Sequence, residues 1–139
     1  MTTVTMDGAR AIYPILVGLA RELSQAVKDH RQVPWISYDD FCIRCKEVGI
    51  KETPRTVSTK LLKPLQALCL EHNYPDLSAL VIQKPKARSD FGNLIRPSDA
   101  WWDIYVERGE VAAVGDVNFW FSRFKAARDY ADWPEAPFF

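Results

Sequence analysis

Three cysteines and one of the two histidines fall into two short pairs, Cys42-x-x-Cys45 and Cys69-x-x-His72, with 23 residues between them. Thiol and imidazole donors paired at this spacing are the ligand set of a tetrahedral structural zinc site. Their surroundings argue the other way. Both pairs lie in stretches of helical apolar spacing, not on the turns that zinc knuckles use. Cys45 and Cys69 also fall on apolar faces, where a free cysteine packs as a small hydrophobe. The expectation is no metal and no other cofactor, with Cys42, Cys45, Cys69 and His72 as the set that a zinc ion would use. A thiol of Cys42 or Cys69 beside His72 would need an orienting group to become a nucleophile. His30 and His72 lie in no triad pattern, and the six glycines are too scattered for a phosphate loop. Asp99 and Asp103, four apart on one helix face, read as solvated acids. No enzymatic activity is expected.

Formal charge is zero over 139 residues, 18 Lys and Arg against 18 Asp and Glu. The balance hides an uneven distribution. Residues 51–97 carry eight basic and four acidic side chains, and residues 98–139 carry four basic and eight acidic ones. A basic middle therefore cancels an acidic end. The composition is that of one globular domain, 1–139, divided into a core (1–97) and an acidic, aromatic extension (98–139). The apolar run through Ile12 to Ala20 contains Pro14 and falls well short of the roughly 20 residues a bilayer span needs. No membrane association is expected. Three cysteines are too few for a stapled secreted domain, so the location expected is cytoplasmic.

The elements that position these residues follow from spacing and caps. Residues 1–6 read as a loose terminus. Ile12, Ile15, Leu16, Leu19, Leu23 and Val27 recur at helical spacing and predict a helix from Asp7 or Tyr13 to His30. Pro34-Trp35-Ile36 reads as a short extended piece. Ser37 is placed to cap a second helix by accepting from an amide near Asp40, with Tyr38, Phe41, Cys45 and Val48 inward and Gly49 at its end. Thr53-Pro54 starts a third, running to Asn73, with Val57, Leu61, Leu62, Leu65, Leu68 and Cys69 on one side. Pro64 should bend or break it. After a turn at Tyr74-Pro75-Asp76, Leu77–Ile82 reads as the best strand and Lys84–Pro97 as a polar loop. Ser98 caps a short helix with Trp101, Trp102 and Tyr105. Gly109 and Gly115 bracket a short strand at Val111–Val114. Asp116 caps a last helix with Val117, Trp120, Phe121, Phe124, Ala127 and Ala131 inward.

Helix, strand, helix, turn, helix, strand, basic loop is the order of a winged helix-turn-helix, and the fold class expected is α+β, mainly helical, with a helical C-terminal extension. In such a unit the second helix of the pair enters the major groove and the loop after the strand holds phosphate. Arg55, Thr56, Thr59, Lys60 and Lys63 fall on that helix. Lys84, Lys86, Arg88 and Arg96 fall on the loop. These nine are the candidate contacts to double-stranded DNA.

Ser37-Tyr38-Asp39-Asp40-Phe41, the glycine at 49, and Cys69-Leu-Glu-His-Asn-Tyr-Pro75-Asp-Leu-Ser-Ala-Leu-Val81 together resemble small winged-helix proteins of bacteria and their phages. In these a Tyr-containing cap opens the helix, and a Pro-x-Leu-Ser-Ala-Leu-Val strand follows a cysteine six residues before the proline. More distantly, the stretch resembles the DNA-binding half of alkyltransferase-like proteins. The likeness covers about residues 35–85. It implies architecture and DNA contact but no alkyl transfer, because Pro75-Asp76-Leu77-Ser78 stands where the alkyltransferases carry Pro-Cys-His-Arg. The Gly-x-Pro-Gly wing of the phage pattern is also missing.

The extension holds four of the five tryptophans and five of the seven phenylalanines. Adjacent Trp101 and Trp102 point in different directions on a helix. Phe119, Trp133, Phe138 and Phe139 lie off the core stripe. As exposed aromatics edged by acid, these six would form a surface for a protein partner or a second copy; the alternative is a helical cap with the tail folded back. Two functions follow. One is a non-enzymatic DNA-binding regulator or accessory protein of bacterial or phage type, working as a dimer or beside a partner. The other is a protein-binding adaptor or inhibitor, such as a phage anti-defence protein, that keeps the scaffold and does not read DNA.

Overall fold

The stretch with the strongest apolar periodicity becomes the helix around which the rest is arranged. In the computed structural model, which describes residues 2–32, 36–83 and 96–139, α1 spans Thr2–Lys28. The first residues are thus helical and not a loose end, and Pro14 lies inside the helix. Ile12, Leu16, Leu19 and Leu23 are buried as their spacing requires, and Ala9, Tyr13, Val17 and Ala20 widen the stripe. The widening has a cause: α1 is covered by the middle helices on one side and by the C-terminal helix on another. Each such aliphatic side chain taken fully out of water contributes about 1.5–3 kcal/mol. Ile15 is half-buried and Val27 is exposed, both at the edge of the stripe.

Residues 33–35 lie outside the described residues, so the extended reading is met only at Ile36, in β1 (Ile36–Ser37). The next helix, α2 (Tyr38–Glu47), starts where its cap predicts: Ser37 Oγ accepts from the Asp40 amide at 3.2 Å. Phe41, Cys42 and Cys45 face the core. Val48 does not; it is 61% exposed, because the helix has already ended and the chain is turning. Gly49 has φ +88°, and the Ile50 amide donates back to the Cys45 carbonyl at 2.9 Å, which closes the helix in a Schellman turn.

After the turn a continuous helical stretch runs through α3 (Pro54–Thr56), a π-helical turn (Val57–Leu62) and α4 (Lys63–Glu71). Pro64 explains the wide turn. It has no N–H to donate, and in an α-helix its ring would press on the Lys60 carbonyl four residues back. The helix widens before the proline and then continues, so it neither breaks nor stops. Val57, Leu61, Leu62, Leu65 and Cys69 are buried. α1 crosses this turn closely at Gly8, where a Cβ would sit 2.7 Å from Leu61 Cδ2.

The expected strand at Leu77–Ile82 is mostly something else. Leu77–Leu80 is a 3-10 turn, and only β2 (Val81–Ile82) is extended. The Asp76 carboxylate accepts from the Ser78 amide at 3.0 Å and winds the chain there. β1 and β2 pair in parallel, Ile36 opposite Val81 and Ser37 opposite Ile82. The Gln83 amide donates to the Arg96 carbonyl at 2.9 Å, so the chain returns beside the strand end after residues 84–95.

Ser98 precedes a 3-10 turn (Asp99–Trp102) that runs into α5 (Asp103–Glu107), although its hydroxyl makes no cap bond. Val111–Val114 forms bends, not a strand. Asp116 Oδ1 accepts from the Phe119 amide at 3.0 Å and caps α6 (Val117–Asp129). Trp120, Phe124 and Ala127 face inward. Phe121 is 36% exposed, and Ala131 lies beyond the helix in solvent. The molecule is thus mainly helical with a minimal parallel ladder. No described helix is long and apolar enough to cross a membrane.

Candidate functional site

The cysteines and His72 do not form a ligand set. Cys42 and Cys45 lie on the inner face of α2 and Cys69 is in the core, all three as free thiols. His72 is exposed, with its ring edge on Phe138 at 5.4 Å. Among the described residues no group of three or more His, Cys, Asp or Glu is placed to hold a metal ion. Burial, as the main cause, pushes the Cys45 thiol up to about 11 and the Cys69 thiol to about 12, and raises Cys42 as well. Thiols so shifted stay protonated at neutral pH, and the thiolate is the form that attacks or binds metal.

The basic residues separate into two groups. Thr53 and Thr56 form a capping box: Thr53 Oγ1 accepts from the Thr56 amide at 3.2 Å and Thr56 Oγ1 from the Thr53 amide at 2.9 Å. Thr59 Oγ1 donates to the Arg55 carbonyl at 3.2 Å. The expected phosphate-binding hydroxyls of Thr56 and Thr59 are thus engaged within their own helix. Arg55 and Lys60 are exposed and form no salt bridge within the described residues. Arg55 lies in α3 and Lys60 in the π-helical turn that follows it.

Lys63 and Arg96 point elsewhere. Lys63 Nζ lies 3.4 Å from Asp103 Oδ2. The Arg96 guanidinium pairs with Asp99 and sits over the Trp102 ring, 4.8 Å from its centroid. Both acids come from the extension, so Asp99 and Asp103 are paired and not merely solvated. Lys84, Lys86 and Arg88 lie outside the described residues.

The six aromatics read as a docking surface are placed differently. Trp101 and Trp133 are 4% exposed, Trp102 is fully buried, and Phe119, Phe138 and Phe139 are half-buried against the core. Trp101 and Trp102 are both covered: their rings, 5.3 Å apart and nearly perpendicular, pack edge to face, and Trp101 lies 4.9 Å from the Tyr105 ring as well. The tail folds back: Tyr13 Oη donates to the Pro134 carbonyl at 2.8 Å and Phe138 stacks on Tyr74 at 4.0 Å.

Two features were not marked by any motif. The first is a buried polar knot. The Asp76 carboxylate accepts from Gln66 Nε2 at 3.1 Å, from Tyr105 Oη at 2.7 Å, and from the amide and hydroxyl of Ser78. Burial raises the Asp76 pKa, and these donors pull it back down. The second is an open groove of about 690 Å³ between α1 and α2. Its sequence signal is Ile43, an apolar residue off the inner face of α2.

No protein-family model, curated protein or solved structure matches the chain.

Proposed function

We propose that this chain is a non-enzymatic DNA-binding accessory or regulatory domain of winged-helix type. Supporting the architecture is the order of α1, β1, α2, the 54–71 helical stretch and β2, with the chain returning from residues 84–95 beside the strand end. The observation that carries the function is that Arg55 and Lys60, on the second helix of the pair, are exposed and make no salt bridge among the described residues. A groove-facing helix needs unpaired cations there. Lys51, exposed just before the turn, extends the same charge. Three cations meeting phosphate imply a modest, salt-sensitive interaction, with log K falling against log salt at a slope of about −2.7. That suits an accessory protein better than a stand-alone reader of sequence.

The test is binding of labelled duplex DNA across a salt series with wild type and an Arg55→Glu/Lys60→Glu variant. Loss of binding in the variant, with a wild-type slope near that value, is the expected result. Unchanged binding in the variant, or none in wild type at low salt, overturns it. A second reading, an adaptor that keeps the scaffold for protein binding alone, is favoured by one observation: Lys63 and Arg96 are neutralised by the chain's own acids.

A further inference from the structure

The groove between α1 and α2 lies apart from the cationic face, since neither Arg55 nor Lys60 lines it. Five of its ten lining residues are aliphatic. Ile15 and Pro14 come from α1, Ile36 from β1, Ile43 from α2 and Val48 from the turn that ends it. Ile43 is 55% exposed and Val48 is 61% exposed. Aliphatic side chains held this open at a concave junction of two helices are unusual in a chain that otherwise buries even adjacent tryptophans. Gly18 deepens the groove. A Cβ built there meets nothing within 4 Å, so the space above it is vacant.

The rim is acidic. Glu22 is closed by a fork from Arg44, at 3.1 and 3.2 Å. Asp40 and Glu47 make no salt bridge among the described residues. They stand seven residues apart on α2, two turns and about 10.5 Å along its axis. The groove is therefore an apolar slot with two open carboxylates along one wall.

We propose that this groove docks a helical segment of a partner protein, one that presents aliphatic side chains to the slot and two basic residues, about two turns apart, to Asp40 and Glu47. Helix-in-groove recognition has this form: apolar anchors at helical spacing give affinity and flanking charge gives register. A second copy of this chain docking groove to groove is disfavoured. A two-fold interface would set Glu22, Asp40 and Glu47 against the same acids. The inference stands independently of DNA binding and gives the domain two faces, one cationic and one anionic.

The probe is a synthetic helical peptide of about four turns, built of Leu and Ala with lysines seven apart, and its counterpart with Glu for Lys. Fluorescence anisotropy measures both against the full chain. The lysine peptide should bind saturably and the glutamate peptide should not. Gly18→Trp fills the slot and, in mid-helix, replaces a poor helix former, so the fold is retained. It should weaken binding at least about tenfold. Glu47→Lys should weaken the lysine peptide and admit the glutamate one. Absence of binding by the lysine peptide, or equal binding by wild type and Gly18→Trp, overturns the proposal. So does a wild-type dimer that Gly18→Trp converts to monomer in sedimentation, which would assign the groove to a second copy. Loss of DNA binding in Arg55→Glu/Lys60→Glu with peptide binding intact would leave this inference in place.

Discussion

Lys63 and Asp103, forty residues apart in sequence, meet as an ion pair at 3.4 Å and join the basic middle of the chain to its acidic end. Arg96 and Asp99 do the same nearby. The acidic Lys63 and Arg96 partners are 52% and 77% exposed, so each pair contributes about 0–1 kcal/mol to stability at most. Their larger effect is on the field outside. Segment charges of opposite sign become local pairs, and the cationic face shrinks to the side chains left over.

This pairing makes a direct prediction for the DNA reading. An Asp99→Asn/Asp103→Asn variant frees Lys63 and Arg96 without altering the fold. DNA affinity at low salt should rise several-fold, and the salt slope should steepen by about 0.9 for each freed cation that reaches phosphate. A salt series by fluorescence anisotropy reads both quantities. A slope equal to that of wild type would place Lys63 and Arg96 off the DNA-facing surface.

Asp76 is the most consequential buried polar group described. Four donors converge on it, and each would be stranded by its loss. Asp76→Asn puts an amide N–H against some of those donors and should cost about 2–4 kcal/mol in urea unfolding. Tyr105→Phe removes one donor to the charge and should cost about 1–3 kcal/mol. Burial raises the Asp76 pKa in the folded protein, so the folded state holds its proton more tightly than the unfolded chain. The contribution is full below the unfolded value near 4 and is lost as pH rises through the folded value, by less than about 1.4 kcal/mol per pH unit. The stability advantage of wild type over Asp76→Asn should therefore shrink as pH is raised from about 3.5.

Caps were legible because they are local chemistry. Ser37, Thr53 and Asp116 each accept from the backbone amide three residues on, and no distant contact competes. Gly49 and the helix spacing of α1 were legible for the same reason. Leu77–Leu80 was not. An apolar run reads alike as a buried strand or a buried turn, and the decision rests with the Asp76 carboxylate held by Gln66 and Tyr105 from far along the chain. Nor was the fate of Trp101 and Trp102. Adjacent side chains on a helix point apart, which implies exposure only if one side is open. Here α4 supplies Gln66, whose Nε2 donates to the Trp101 carbonyl at 2.9 Å, and the Asp116 carbonyl accepts from Trp102 Nε1 at 3.3 Å. Of the candidate DNA residues, Arg55 and Lys60 remain open, while the pairing of Lys63 and Arg96 needed the three-dimensional partner.

The thiols make a prediction about reactivity. With Cys45 at about 11 and Cys69 at about 12, thiolate at pH 7.5 is at least about 100-fold scarcer than for a free cysteine of pKa about 8.5. Ellman's reagent should leave the native protein almost unlabelled and titrate all three cysteines in urea. Within the native state Cys42 should react first, since its thiol is the least buried of the three. Rapid labelling of Cys69 in the native state would overturn the core placement. Added zinc should leave the melting temperature unchanged.

The tail makes the last prediction, because it covers what α1 and the 72–76 turn would otherwise expose. Trp133 is buried, 4.9 Å from the Tyr130 ring and 5.7 Å from Tyr74. Phe138 stacks on Tyr74, and Arg10 Nε donates to the Phe139 carbonyl at 2.9 Å. Trp133→Ala should cost about 3–5 kcal/mol, a large share of the 5–15 kcal/mol typical of a domain. Tyr13 provides a local reporter. Burial, with Tyr74 as the next cause, raises its hydroxyl to about 12. The folded state therefore keeps the Tyr13 proton where the unfolded chain releases it, and its contribution is lost as pH rises from about 10 through 12. Removing residues 133–139 uncovers the ring and deletes the Pro134 acceptor. In the part of the truncated chain that remains folded, the Tyr13 titration followed by ultraviolet difference absorbance should fall back toward 10. A titration that stays near 12 after truncation would mean that α1 and Tyr74 alone bury the hydroxyl, and that the tail is dispensable to the core.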